Sequence, residues 1–346
     1  MRFSRESQNL LSPILQFSPI HLFFLFFQTP KHLPFLTISF TMSFTIFCAI
    51  IPAVFPGEIL AQNGSGAKMN VCASCYPLQY FAERIGNGNV NVYCPVPEKS
   101  DPNFWIPDRE TISLMQKADL ILVNGANYEQ WLTRVTLPVS RLVNTTKFFC
   151  NDLIRFPGVI THSHGPMGMH SHEGIDPHTW LDPRSAMHQA KAIQNALSKL
   201  VPDHSSDFAT GFASLTADLE QLDAGLKSLA TRLKEKTLLC SHPAYYYLAR
   251  TYGWDLVTRP FDPDQLPETK DLDELKSLRT SHPAHWILWE STPRPELLKA
   301  FADIGIRSVV FSPCEVLTKE ELAGGLDYLK VMNANLERLK AITEQD

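Results

Sequence analysis

A chain of 346 residues, 44% hydrophobic and 19% charged, has enough apolar material for about two folded domains. Its formal charge of −5 leaves no basic footprint, so no nucleic-acid partner is expected, and the acidic balance mildly favours cationic ligands.

Residues 1–41 are apolar, aromatic and cut by proline, with no periodicity suited to a core. Neither apolar run there approaches the roughly 20 residues needed to span a bilayer. From Met42 an apolar run leads to Ala61 and a Gly/Ser linker, a pattern like a secretory signal cleaved near Ala61, with Met42 as the start; an uncleaved membrane anchor is the alternative. Residues 1–67 are therefore set apart as a signal- or anchor-like segment and linker. A periplasmic or other extracytoplasmic location is expected. Six cysteines follow that segment (Cys72, Cys75, Cys94, Cys150, Cys240 and Cys314), an even number compatible with disulfides in an oxidising compartment or with buried thiols.

Beyond the linker, strands are read at 69–74, 90–97 and 119–125 and helices at 76–86, 109–118 and 127–135. A fourth strand is expected in SRLVNTT or KFFC. After a His-rich loop at 161–174, too broken for helix or strand, 184–200 reads as a helix ended by Pro202. Phe208, Phe212, Leu215, Leu219, Leu222, Leu226, Leu229 and Leu233 then step by four and three along one uninterrupted helix. A coiled-coil dimer would show the same stripe. A spine joining two lobes is preferred, because the strand–helix rhythm resumes beyond it: strands 237–241, 254–259, 285–290 and 306–312, with helices 242–253, 271–281, 295–305 and 319–343, the last broken at Gly324-Gly325. The fold class is α/β, with two lobes that each carry a parallel sheet flanked by helices and are joined by one long rigid helix. The expected division is 68–203, 204–236 for the linking helix, and 237–346. A monomer is expected.

The segment THSHGPMGMHSHEGIDPHTWLDP (161–183) carries the chemistry. Five histidines fall within seventeen residues, and His178 stands between Asp176 and Asp182. Imidazole is the commonest transition-metal ligand, and flanking carboxylates can take its second N–H. Parallel sheets bind ligands beyond their strand carboxyl ends. That rule selects Asp101-Pro102-Asn103, His178, Ser241-His242-Pro243 and Pro313-Cys314-Glu315, so that a histidine from each lobe faces one cleft. Two other readings stay open. One is a zinc-dependent hydrolase with His162 and His164 as ligands and Glu173 or Asp176 as base, although its usual follow-on motifs are absent. The other is a divergent metal buffer with no transport role.

SDPNFWIPD, KADLILVNGANYEQWL, the His-rich loop, DPHTWLDP, SHPAYYYLARTYG and YLKVMNANLERL resemble, in order over 68–343, the cluster A-I solute-binding proteins of zinc and manganese ABC importers. The zinc-uptake branch is the nearer, since its members carry a His-rich loop. The resemblance implies a metal held between two α/β lobes and handed to an ABC permease in the cytoplasmic membrane, with no enzymatic activity. Zinc is the expected ion, with manganese or copper as alternatives. Carried over by position, His178 and His242 are the second and third ligands. The first motif has Asn103 where the family has histidine, and the fourth position falls near Cys314 and Glu315. The candidate metal residues are thus His178, His242, Asn103 and Glu315. A thiolate from Cys75, Cys94, Cys240 or Cys314 could stand in for the missing imidazole.

Overall fold

The computed structural model describes residues 68–98, 100–163 and 169–344, with the backbone alone over 157–163 and 169–173. The signal- or anchor-like segment lies outside the described residues. Among them no helix is long and apolar enough to cross a membrane.

The first lobe's sheet is made of β1 (Met69–Ala73), β2 (Val90–Tyr93), β3 (Leu120–Val123) and β4 (Leu142–Asn144), all parallel in the order β2-β1-β3-β4. Helices α1 (Tyr76–Gly86) and α2 (Arg109–Lys117) connect its first three strands. The second sheet holds β7 (Thr237–Cys240), β8 (Asp255–Thr258), β9 (Trp286–Trp289) and β10 (Arg307–Val310), again all parallel, in the order β10-β9-β7-β8. Both sheets therefore begin at an inner strand, step outward once, and then cross to the other side. This puts a topological switch point between β1 and β3 and another between β7 and β9, where loops splay apart and leave room for a ligand. Strands such as LILV and WILW are buried throughout, as parallel strands covered on both faces must be.

Four helices fill the space behind the sheets: α3 (Pro183–Leu200), α4 (Ser205–Lys234), α9 (Tyr328–Glu344) and α1. The 30 residues of α4 extend about 45 Å at 1.5 Å per residue. The expected stripe is buried, with one exception: Phe212 is half-buried, and Lys191 Nζ lies over its ring at 4.9 Å. Asp223 is buried on the same helix. It accepts from Arg184 Nε of α3 at 3.3 Å and from Tyr252 Oη of α5 (Tyr246–Tyr252) at 2.8 Å, and Lys227 pairs with it as well. One apolar core runs continuously from the first sheet through these helices to the second, and each sheet has a smaller core on its far face.

Three expectations change. Within the His-rich stretch, β5 (Arg155–Ser163) and β6 (Met169–Ile175) pair as antiparallel strands where no strand was expected. Glycine and histidine hid the pairing because they supply no apolar alternation. The helix expected at 127–135 is only a 3-10 turn at Gln130–Arg134, and 242–253 becomes helical only from Tyr246. The fourth strand is the LVN of SRLVNTT, and KFFC lies in a 3-10 segment. The break near Gly324-Gly325 separates α8 (Lys319–Ala323) from α9.

Two glycines of α4 test the helix packing. A Cβ at Gly211 would sit 2.5 Å from Arg84 O and 2.6 Å from Ile85 O, both backbone atoms of α1 that cannot turn aside. A Cβ at Gly225 would meet Leu336 Cδ2 at 2.5 Å, the end of a side chain that can turn. Alanine in mid-helix gains about 1 kcal/mol over glycine, whereas overpacking against a rigid neighbour costs about 1–3 kcal/mol. Gly211→Ala should therefore lower the midpoint of urea unfolding, and Gly225→Ala should leave it level or raise it. Equal gains at both positions would show that α1 and α4 are not in close contact.

Candidate metal centre

Each candidate ligand is placed by the turn that follows a strand or precedes a helix. His178 lies in the turn before α3. Asp176 Oδ1 accepts from its backbone N at 3.0 Å and from its Nδ1 at 2.8 Å, and Asn124 Nδ2 donates to Pro177 O at 2.9 Å. Asn124, at the end of β3, is itself bound through Oδ1 by Gln189 Nε2 and Thr179 Oγ1. Glu129 lies beneath, accepting from Ser74 Oγ and from the backbone of Asn124 and Gly125. All of these side chains are buried and, apart from Asp176 Oδ2, bonded to one another or to backbone, and a network of this kind fixes geometry. With Nδ1–H committed to a carboxylate, Nε2 is the nitrogen left to face the cleft.

His242 follows β7 and is 3% exposed; His178 is 1% exposed. Their Nε2 atoms are 3.2 Å apart, with the rings edge to face. Two nitrogens bound to one tetrahedral zinc at about 2.05 Å would be about 3.3 Å apart, so this separation suits a shared ion. Glu315 Oε1 lies 3.3 Å from the same His178 Nε2. Its loop is held in place by Tyr76 N donating to Glu315 O at 3.0 Å and Trp180 Nε1 donating to Pro313 O at 2.8 Å. Cys314, just before it, has φ of 60°, a left-handed turn rarely adopted by a residue with a Cβ. Among the described residues no three His, Cys, Asp or Glu side chains already enclose a metal position. Two contacts converge on His178 Nε2, and Glu315, whose side chain is 22% exposed, is the donor with room to adjust.

Sequence reasoning missed Glu290. Its Oε2 is 3.3 Å from His242 Nδ1, an ion-pair contact that puts a carboxylate behind the second histidine where Asp176 hydrogen-bonds the first. The available signal was a charged residue ending the apolar run WILW at a switch-point strand. Asp182, which flanks His178 in sequence, instead accepts from Arg184 N at the start of α3 and from Ser185 and Thr251 hydroxyls.

Asn103 is 2% exposed, and the structure does not bond it to the other three candidates. Its N–H goes to Asp101 Oδ1 at 2.8 Å, its carbonyl accepts from Gln130 N, and its Oδ1 has no hydrogen-bond partner. Tyr128 Oη and Ser241 Oγ are also buried and unsatisfied, on the loops after β3 and β7. Orphaned polar atoms at the carboxyl ends of the strands mark a place built for something further.

Burial opposes charge on His178, but the Asp176 and Glu315 carboxylates outweigh it and raise its pKa from 6.5 to about 10. Burial also raises Asp176, against the pull of His178. The six described cysteines are all free, so disulfides among them are not part of this structure. Burial pushes Cys72, Cys94 and Cys240 up to about 12, and Cys75 and Cys314 also upward. These groups are neutral thiols, and Cys240 Sγ lies 3.1 Å from Thr258 Oγ1. Among the described residues no group of three His, Cys, Asp or Glu side chains brings one of these thiols to the histidine pair, so a thiolate replacement for the missing imidazole has no geometric support. The side chains of His162, His164 and Glu173 lie outside the described residues, and Asp176, offered as a hydrolytic base, is engaged by His178.

Known proteins share this fold. The model of the family described as "Zinc-uptake complex component A periplasmic" matches residues 71–342. The zinc-binding lipoprotein AdcA of Streptococcus pneumoniae is 27% identical over 308 residues, which cover 87% of this chain and 61% of that protein, so the chain spans about three fifths of that relative. The high-affinity zinc uptake system protein ZnuA of Bacillus subtilis is 29% identical over 286 residues, covering 81% of this chain and 89% of ZnuA. Among solved structures, the metal-dependent lipoprotein YcdH of Bacillus subtilis superposes with a TM-score of 0.68 at 27% identity, covering 80% of this chain and 99% of YcdH. Zn(II)-bound AdcA of Streptococcus pneumoniae gives 0.68 at 26% identity, covering 81% and 58%. With two parallel sheets, a helical spine and paired histidines at the strand ends, this chain belongs to the zinc-uptake component A family of solute-binding proteins, whose members are transport components and not enzymes.

Proposed function

We propose that the chain is an extracytoplasmic binding protein that captures zinc between its two sheets and hands it to an ABC permease. The observation that carries this reading is the pair of buried imidazole nitrogens 3.2 Å apart, one from each side of the cleft, each backed by a carboxylate. His178 and His242 bind through Nε2, Glu315 supplies an oxygen, and Asn103 stands at the fourth position, where its amide is a weak donor. Neutral imidazole and carboxylate suit zinc, and the four side chains offer no nucleophile for chemistry on a substrate. Zinc is cargo here. The lobe boundaries at 203/204 and 236/237, the monomeric state and export through the N-terminal segment belong to the same proposal. The likeness to periplasmic and lipoprotein relatives supports the location.

His178→Ala and His242→Ala should each abolish tight zinc binding. Asp176→Asn and Glu290→Gln, which remove only the carboxylate behind each imidazole, should weaken it by about 10–100-fold. Isothermal titration under chelator competition reads both effects. Wild-type affinity in the His178→Ala/His242→Ala double variant would move the site elsewhere.

Affinity should also depend on pH with a definite sign. The metal-free protein keeps a proton on His178 up to about pH 10, and zinc must displace it. Binding near neutrality thus releases that proton, and affinity should rise about tenfold per pH unit from 6 to 8. Titrations in two buffers of different ionisation enthalpy count the proton. A flat profile with no proton released would contradict the His178 assignment.

A further inference from the structure

A cavity of about 270 Å3 opens to solvent beside Glu315, far larger than one metal ion needs. At about 30 Å3 per molecule it holds roughly nine waters, or one small molecule of amino-acid size. Ser100 and Asp101 wall it on one side and Glu290, Ser291 and Ser312 on the other. Among the described residues the wall carries three carboxylates, those of Asp101, Glu290 and Glu315, and no lysine or arginine. The loop that supplies Ser100 and Asp101 continues directly into Asn103, whose buried Oδ1 lacks a partner.

A zinc ion held by two imidazoles and one carboxylate has a fourth position to fill. A neutral amide oxygen fills it poorly beside a nitrogen donor. The adjoining space admits such a donor from solution, and its electrostatics select the kind. Carboxylate-lined walls attract an ammonium or neutral imidazole and repel an anionic chelator such as a polycarboxylate. We propose that this chain takes zinc together with a small nitrogen donor of the free-histidine class, which lies in the cavity and supplies the fourth ligand. Its imidazole binds zinc through one nitrogen, in place of the side chain that Asn103 does not supply. Its ammonium faces Asp101 and Glu290, and its own carboxylate points to the open side. The inference rests on the reading that His178, His242 and Glu315 hold zinc.

The test is equilibrium dialysis of the full chain with radiolabelled L-histidine, with and without one equivalent of zinc. One histidine retained per protein only when zinc is present is the expected result, with zinc affinity at least tenfold higher at millimolar histidine. Ser291→Trp, which fills the cavity, should retain zinc and lose histidine. Asn103→His, which brings an imidazole of its own, should bind zinc more tightly than wild type and retain no histidine. One zinc retained without histidine would overturn this inference and leave the zinc site standing. A chain that retains no zinc would overturn both.

Discussion

Two imidazole nitrogens buried 3.2 Å apart impose the constraint that everything around them serves. If both were neutral acceptors their lone pairs would repel; if both carried protons the hydrogens would clash. The metal-free protein resolves this by placing a proton on His178, where Asp176 and Glu315 stabilise it. A divalent cation resolves it better, because it meets both lone pairs and the Glu315 carboxylate at once. The pair crosses from one sheet to the other, so it requires that the sheets stay in register. The shared core, the Asp223 junction of three helices, and the Tyr247 hydroxyl donating to Asp176 O at 2.9 Å hold that register.

The buried polar groups divide into two kinds. Asn124, Glu129, Gln189 and Thr145 bond to one another and to backbone, and their role is to make the turn at His178 rigid. Asn103 Oδ1, Tyr128 Oη and Ser241 Oγ are buried and unsatisfied on loops at the carboxyl ends of β2, β3 and β7. Each such atom costs about 1–3 kcal/mol of desolvation with nothing in return from the protein. Stability and binding thus draw on different polar groups within a few residues of each other.

Much of this was legible in the sequence. Parallel strands buried on both faces announce themselves as unbroken apolar runs, and α4 shows its stripe at helical spacing. Once the strands are placed, the switch-point rule leads to His178, His242 and the Glu315 loop without knowledge of distances. What escaped was set by contacts between distant segments. The two strands β5 and β6 depend on backbone pairing across a Gly- and His-rich stretch with no alternation to report it. Glu290 becomes a partner of His242 only when β9 lies beside β7. The turn at Gln130–Arg134 looked like a helix because its composition suits one, yet Glu129 is drawn down to Asn124 and Gly125 and the segment tightens into 3-10 geometry. Asn103 was visible as a departure from the family pattern, but its burial and its idle oxygen were not.

The left-handed turn at Cys314 bears on how the Glu315 carboxylate is aimed. Trp180 clamps the carbonyl of Pro313, and Tyr76 clamps the carbonyl of Glu315. The peptide units between those two anchors sit in a sparsely populated conformation worth about 1–3 kcal/mol of strain. They set the direction in which the Glu315 side chain leaves the backbone, toward His178 Nε2. A few backbone torsions, held at both ends by hydrogen bonds, thus decide the aim of the donor that has room to adjust.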